Sequence, residues 1–306
     1  MASVLSAKHY HDEDAAFAYV ERHVWPNGPV CPHCGGVERI SKMNGSATRK
    51  GLHKCYQCRR QFTVRQGTIF ESSHVPLHIW LQAIFFVAGS KKGVSSNQLH
   101  RTLGVTLKTA WFLSHRIREA MRDGTLAPLG GEGRTIEADE TYIGRKAGVP
   151  VPKGGYTHKH CIVSLVSRDS GEARSFLAAT STNEEVANIV RANVARESRL
   201  LTDDAQLYWK VGREFGAHKR VRHSIGEYVR GDVHTNTIEG FFSIFKRGMR
   251  GIYQHCSEKH LHRYLAEFDF RYSNRVALGC NDEDRAGRIL SGMVGKRLTY
   301  QRTCAR

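Results

Sequence analysis

The segment from His234 to Gly251 restricts the possible folds more than any other part of the chain. Ile238, Phe241, Phe242 and Phe245 recur at helical spacing, so the segment predicts an amphipathic helix that buries an aromatic stripe. Thr235 or Thr237 stands where an N-cap belongs. Glu239 and Lys246 are two helical turns apart and share a face, which Ser243 and Arg250 extend. A carboxylate and a lysine on one face beside an aromatic core call for partners of their own, a cation for the acid and an anion for the amine. Two upstream segments run from apolar residues into acids, Thr135-Ile-Glu-Ala-Asp139-Glu140 and Leu200-Leu-Thr-Asp203-Asp204. Both read as strands, so acids from two strand ends and from one later helix must share a sheet-and-helix framework.

The 306-residue chain is long enough for two or three domains, and 40% hydrophobic residues suit a globular protein. Its 46 Lys and Arg against 29 Asp and Glu leave a formal charge of +17. That excess points to a polyanion, most simply nucleic acid. A membrane-surface protein would concentrate its basic residues on one amphipathic helix, whereas here they are spread along the chain. The N-terminal residues lack the apolar core of a signal peptide. Ile79–Ala88, the longest apolar stretch, contains Gln82 and is too short to span a bilayer. These features predict a cytoplasmic protein held at the nucleoid through DNA, with no membrane partner. In that compartment the eight cysteines read as metal ligands or thiols.

Four cysteines fall as Cys31-Pro-His-Cys34 and Cys55-Tyr-Gln-Cys58, with twenty residues between the pairs. Two such knuckles complete a tetrahedral four-cysteine zinc site, a zinc ribbon expected over residues 14–70. Tyr56, Phe62, Val64 and Ile69 suit its strands. His33 is expected to face solvent, and Cys161, Cys256, Cys280 and Cys304 show no ligand spacing. Residues 75–123 then carry three helical patterns: Leu77–Val87, a second starting at Ser95-Ser96 and running to Leu103, and a third opening at Thr106 after the Gly104-Val105 turn. The third has Ala110, Leu113 and Ile117 on one side and Lys108, Thr109, His115, Arg116 and Arg118 on the other. Helix, short glycine turn and basic helix is a helix-turn-helix pattern. A hairpin serving only to pack would look alike, but the ribbon and the charge favour DNA, with Lys108, Arg116 and Arg118 as contacts.

Gly124–Gly133 reads as a linker. Beyond it come strands at 134–143, 158–168 and 172–179, a helix at 183–197 and a short strand at 200–202. The connection 144–157, rich in glycine and proline, carries Arg145, Lys146 and Lys153 and reads as a mobile basic loop. Three strands, a helix, a fourth strand and further helices is the order of the ribonuclease H-like fold. We therefore expect an α/β domain over 134–280, a mixed sheet flanked by helices, and a basic tail at 281–306.

Phosphoryl transfer by two divalent ions about 3.5–4 Å apart needs several carboxylates on rigid elements. Mg²⁺ prefers oxygen ligands and takes one or two carboxylates per ion. Glu137 and Asp139 share one face of their strand by alternation, and Glu140 points the other way. Asp139 and Asp203 are the expected strand ligands. Glu239 is the first candidate for the third, with Asn236 one turn earlier as the alternative. Lys246, with Arg250 beyond it, is placed to meet a DNA phosphate as a point charge.

These motifs together resemble the bacterial insertion-sequence transposases that carry an N-terminal zinc ribbon ahead of a DDE catalytic domain. The resemblance runs from about Asp14 to Arg275 and rests on the two cysteine knuckles, on Glu137-Ala-Asp139-Glu-Thr-Tyr-Ile-Gly, on Leu-Thr-Asp203, on His234–Gly248 and on Tyr264–Arg275. It implies that Asp139 and Asp203 are metal ligands. It leaves the third open, since branches of the family differ between Asn and Glu there. It further implies binding to terminal inverted repeats of double-stranded DNA and to target DNA, and a homo-oligomer acting on paired ends, with structural Zn²⁺ and catalytic Mg²⁺. A purely hydrolytic nuclease on the same fold, or a DNA-binding regulator derived from a transposase, are the rival readings; a strand-joining assay separates the first from a transposase.

Overall fold

The chain folds as two units, Met1–Ser90 with Val94–Arg122 and Asn281–Arg306, and Lys91–Gly93 with Asp123–Cys280. The computed structural model describes residues 3–122, 124 and 127–298. Asp123, Thr125 and Leu126 of the expected linker, and Cys304 with the rest of 299–306, lie outside the described residues.

The first unit opens with helix α1 (Glu13–Val24), capped by Asp12, whose carboxylate accepts the Ala15 amide at 2.8 Å. Strands β1 (Ile40–Lys42), β2 (His53–Cys55) and β3 (Gln61–Phe62) form a small antiparallel sheet. Of the residues expected in ribbon strands only Phe62 is in one; Tyr56, Val64 and Ile69 fall in turns. Val64 and Ile69 are nonetheless buried, because tight loops round the knuckles carry the core that longer strands would. Helix α2 (Leu77–Gly89) is buried on most of its surface. Helix α3 (Ser96–Leu103) is capped by Ser95, and helix α4 (Leu107–Ala120) by Thr106. Gly104, at φ 65°, makes the left-handed turn between them, which a β-carbon would strain.

The second unit is built on a five-stranded mixed sheet. Its strands are β4 (Thr135–Ile143), β5 (His160–Ser167), β6 (Ala173–Ala178), β7 (Arg199–Thr202) and β8 (Ala217–Arg220), in the order β6-β5-β4-β7-β8. The first three pair antiparallel, while β4, β7 and β8 run parallel. This is the strand order of a ribonuclease H-like core. Helix α5 (Asn183–Asn193) crosses from β6 to β7, and the short helix α6 (Trp209–Gly212) precedes β8. A two-stranded ribbon, β9 (Val229–Arg230) and β10 (Val233–His234), leads into helices α7 (Asn236–Gly248) and α8 (Glu258–Ser273).

The central strand β4 has protein on both faces. Ile136 and Ala138 pack with Val163, Leu165 and Leu200 against Val186 and Val190 of α5. On the opposite face Ile162 and Val166 pack against Ile238, Phe241, Phe242 and Phe245 of α7 and Leu261, Leu265 and Phe268 of α8. The aromatic stripe therefore docks α7 on the sheet. Phe245 is fully buried there, and its truncation to alanine would cost about 3–5 kcal/mol. Part of the expected linker is also tied down: Leu129 exchanges backbone hydrogen bonds with Asn193 and Ala195 at 2.7 and 2.8 Å.

The expected basic tail is corrected by the structure. Asp282–Ser291 is a helix, α9, opened by a capping box between Asn281 and Asp284. It packs on α2 in the first unit and buries Ala286, Ile289 and Leu290. Arg285 donates to the carbonyl of Ala88 at 3.0 Å. The apolar stripe is narrow and sits among Asp and Arg residues, so composition hid it although its spacing is helical.

Candidate active site and metal centre

Cys31 and Cys34 lie in a turn before β1, Cys55 ends β2 and Cys58 lies in the turn that follows. Their sulfurs lie within 4.8 Å of one another, with Cys31 and Cys58 at 3.6 Å and Cys34 and Cys55 at 3.8 Å. A tetrahedral ion with metal–sulfur bonds of about 2.3 Å sets its ligands roughly 3.8 Å apart, so the four residues fit zinc. The amides of Cys58 and Gln57, with the neighbouring thiols, hold the Cys55 thiol down to about 7. His33 is exposed, 3.3 Å from the Gln61 carbonyl, and stands outside the set. Cys161 and Cys280 are buried and Cys256 is half-buried, and none of them belongs to the four-cysteine cluster.

The acids gather where β4, β7 and α7 meet. Parallel pairing sets Glu137 opposite Leu201. Asp203 follows directly on the end of β7 and lies near enough to Asp139 for its charge to act on that carboxyl. Asp139 is ringed by protein, and burial lifts its carboxyl well above the ordinary range; the charges of Asp203, Glu140 and, more weakly, Glu239 lift it further. Glu140 is raised too, by burial and then by Asp203, although alternation turns it to the other face. The hydroxyl of Tyr208 donates to it at 2.9 Å. Like-charged carboxylates crowded into protein favour protons when alone and a cation when one is supplied. Among the described residues only the cysteines bring three or more ligand atoms within 4.8 Å of one another; the acids interact at longer range, as repulsion between them dictates.

Helix α7 presents the remaining candidates. Thr235 precedes it, but its hydroxyl does not cap the helix; it donates to Glu239 Oε1 at 2.9 Å. Glu239 is exposed, with His223 Nε2 3.8 Å away. Asn236 is exposed at the first turn. Lys246 is half-buried with its ammonium over the Phe242 ring at 5.6 Å, and Arg250 is exposed in the wider turn that continues the helix.

The true cap of α7 is a residue the strand reading left without a task. Glu137, fully buried on β4, accepts the Ile238 amide at 2.9 Å. Its other oxygen receives Arg168 at 2.5 Å. Arg168 also donates to the carbonyls of Asp232 and His234 and to His234 Nδ1, each at 2.7 Å. Nδ1 of His234 is thus an acceptor, which places its proton on Nε2. One buried carboxylate so ties the helix of Glu239 to the strand of Asp139, two residues from it. The alternation that put Glu137 on the α7 face was the available signal.

Two of the expected DNA contacts are corrected. Arg116 is buried and donates to the carbonyls of Ile69, Glu71 and Leu298 at 2.7, 2.8 and 3.1 Å. Arg118 is buried with a bond to Ser114 Oγ at 3.1 Å. Helix α4 lies within its unit and shows solvent chiefly its N-terminal turn, where Lys108 is exposed beside Leu107, with Arg101 on α3. Arg116 acts as a structural cation because its long side chain reaches carbonyls left open by loops, and Arg118 is buried against its own helix.

Residues 128–273 match the ISXO2-like transposase domain, and residues 11–61 match the transposase zinc-ribbon domain. An uncharacterized protein in transposable element ISH50 of Halobacterium salinarum is 29% identical over 266 residues, covering 81% of this chain and 86% of its own. That relative is archaeal, so it does not tie the chain to bacteria. Among solved structures, the magnesium-bound HTLV-2 integrase catalytic core is 12% identical with a TM-score of 0.27, over 45% of this chain and 86% of its own. The Mos1 strand transfer complex is 16% identical with a TM-score of 0.29, over 68% and 72%. At such scores these likenesses carry no argument, and the fold assignment rests on strand order. Among the described residues no helix is long and apolar enough to cross a membrane.

Proposed function

Because the chain carries a transposase zinc ribbon followed by an ISXO2-like DDE transposase domain and is in this sense an IS1595-family transposase, we propose that it cuts DNA at the ends of a mobile element and joins those ends to target DNA. In the first step water attacks a phosphorus and releases the element's 3′-hydroxyl. In the second that hydroxyl attacks a target phosphorus and releases a target 3′-hydroxyl. The observation that supports this reading is the convergence of acids on Asp139, which feels the charge of Asp203 from beyond the end of β7 and, more weakly, that of Glu239 from α7.

The donor set is all oxygen, crowded and negative, and fits Mg²⁺, held by Asp139 and Asp203 with Glu239 as third ligand. Two such ions would activate the attacking oxygen and stabilise the leaving one. Glu239 is preferred to Asn236 because its charge reaches Asp139. The protein's own part is placement. Glu137 fixes α7 against β4, Tyr208 holds Glu140 by its carboxylate, and Lys246 offers a point charge to a phosphate. Zinc in the cysteine cluster is structural. In this reading the N-terminal unit binds the element's ends through the exposed Lys108 turn, and the protein works as a homo-oligomer on paired ends.

A strand-transfer assay with Mg²⁺ tests this. Asp139→Asn, Asp203→Asn and Glu239→Gln should each abolish cleavage and joining while DNA binding stays near wild type. Full activity in Glu239→Gln together with loss in Asn236→Ala would move the third ligand to Asn236. Cleavage without joining would turn the reading to a hydrolytic nuclease.

A further inference from the structure

Between Asp203 on one side and α7 on the other, the chain runs through β8, β9 and β10, a stretch to which the scheme above gives no task. It encloses an open pocket of about 390 Å³ lined by His218, Lys219, Arg220, Arg222, Arg230 and Asp232. The acid is already neutralised, since Asp232 is paired with Arg199. Two of the arginines brace the frame: Arg220 pairs with Asp204 at 3.2 Å and lies over the Trp209 ring, and Arg230 pairs with Glu227 at 3.2 Å and donates to the Arg220 carbonyl at 3.1 Å. Lys219 and Arg222 have no hydrogen bond or ion pair from their side chains among the described residues. Lys219 shares the Asp232 charge with Arg199 only at longer range, so the pocket keeps a net excess of positive charge, with the Lys219 ammonium and the Arg222 guanidinium open to a further anion.

Beside it the segment is apolar where apolar residues are least expected. Ile225, Tyr228 and Val229 are 69%, 60% and 52% exposed. The Tyr228 ring lies 5.0 Å from that of His223, and His223 is the residue beside Glu239 at 3.8 Å. A basic pocket next to an exposed aromatic suits a polyanion that also carries flat apolar faces. A paired duplex keeps its base faces stacked inside; an unpaired strand offers them.

We propose that the β8–β10 segment is a binding site for single-stranded DNA, with backbone phosphates in the basic pocket and an unpaired base against Tyr228, so that the strand is presented beside Glu239. Its ligand class rests on the transposition reading, and the site itself does not depend on catalysis.

The test is binding by the full chain, with Ca²⁺ replacing Mg²⁺, to a labelled duplex of arbitrary sequence with a single-stranded 3′ overhang and to the same duplex made blunt. The wild type should prefer the overhang. The double substitution Lys219→Ala with Arg222→Ala should reduce the slope of log affinity against log salt by about 1.4, the loss of two single-strand phosphate contacts. Lys219→Arg with Arg222→Lys should keep the slope. Tyr228→Ala should weaken overhang binding about tenfold, the stacking of one base, and leave blunt-duplex binding unchanged. Tyr228→Phe should behave as wild type. Unaltered melting curves exclude misfolding, and the conservative variants report on charge and ring if an alanine variant melts early. Equal wild-type affinity for both probes, or an unchanged salt slope in the double variant, overturns the proposal. Absence of strand transfer with overhang preference intact would instead sink the transposition reading and leave this site standing.

Discussion

Arg116 spends its guanidinium on three backbone carbonyls, so its charge serves the fold. Burial brings it down to about 10, with the Arg297 charge adding to the effect. Arg116→Ala strands those carbonyls, each costing about 1–3 kcal/mol when left unsatisfied. It should lower the denaturation midpoint of the protein, and at temperatures where the variant is folded DNA binding should match wild type. His218 makes a different residue-scale case. Burial, and then Arg220, hold it down to about 4 from 6.5. Between those values the unfolded chain carries the proton and the native one does not, so stability rises with pH across that window. The contribution is intact above about 6.5 and is lost as pH falls towards 4. Urea titrations at several pH values should show a shallower acid decline for His218→Gln than for wild type.

Helix α7 shows how an element depends on a partner distant in sequence. Its stripe was legible because a 3.6-residue period is local, whereas its cap, Glu137, is 101 residues away. Glu137→Ala leaves Arg168 without its buried counter-charge, a loss of about 3–5 kcal/mol, and should slow strand transfer by loosening Glu239. Glu137→Gln keeps an acceptor for the Ile238 amide and should retain more of both stability and activity. The ribbon's strands span only two or three residues, too few for a large core, so a zinc ion on the four cysteines should carry much of its stability. Zinc analysis should return one ion per chain. Cys58→Ser or a chelator should unfold this element while the second unit keeps its circular dichroism signal, because metal binding and folding are coupled.

For the whole molecule the charge of +17 implies affinity for DNA that falls steeply with salt, by about 0.9 in logarithmic slope for each phosphate neutralised. Removal of residues 1–122 together with 281–306, the rest of the first unit, should abolish recognition of the element's ends and leave a weaker, salt-sensitive binding by the second unit. Retained end recognition in that truncation would place sequence readout in the catalytic unit. The acids of the candidate site make a related point at this scale. Each looks like an ordinary charge in its own segment, and only the parallel pairing of β4 with β7 and the docking of α7 bring them within electrostatic reach of one another.

By itself the sequence determined the cysteine set, the first four strands of the mixed sheet with the helix between the third and fourth, the buried face of α7 and the short list of acids, because ligand spacing and hydrophobic period act over a few residues; the fifth strand β8 and the β9–β10 ribbon are short and polar and carry no such period. The tertiary structure decided the rest. It turned Arg116 and Arg118 inward, made Glu137 a helix cap, recruited Asp282–Ser291 into the first unit and set the β8–β10 pocket beside the acids. Each of these follows from which distant groups meet in the packed chain, where a long arginine finds open carbonyls or a carboxylate finds free amides, and no local period encodes such meetings.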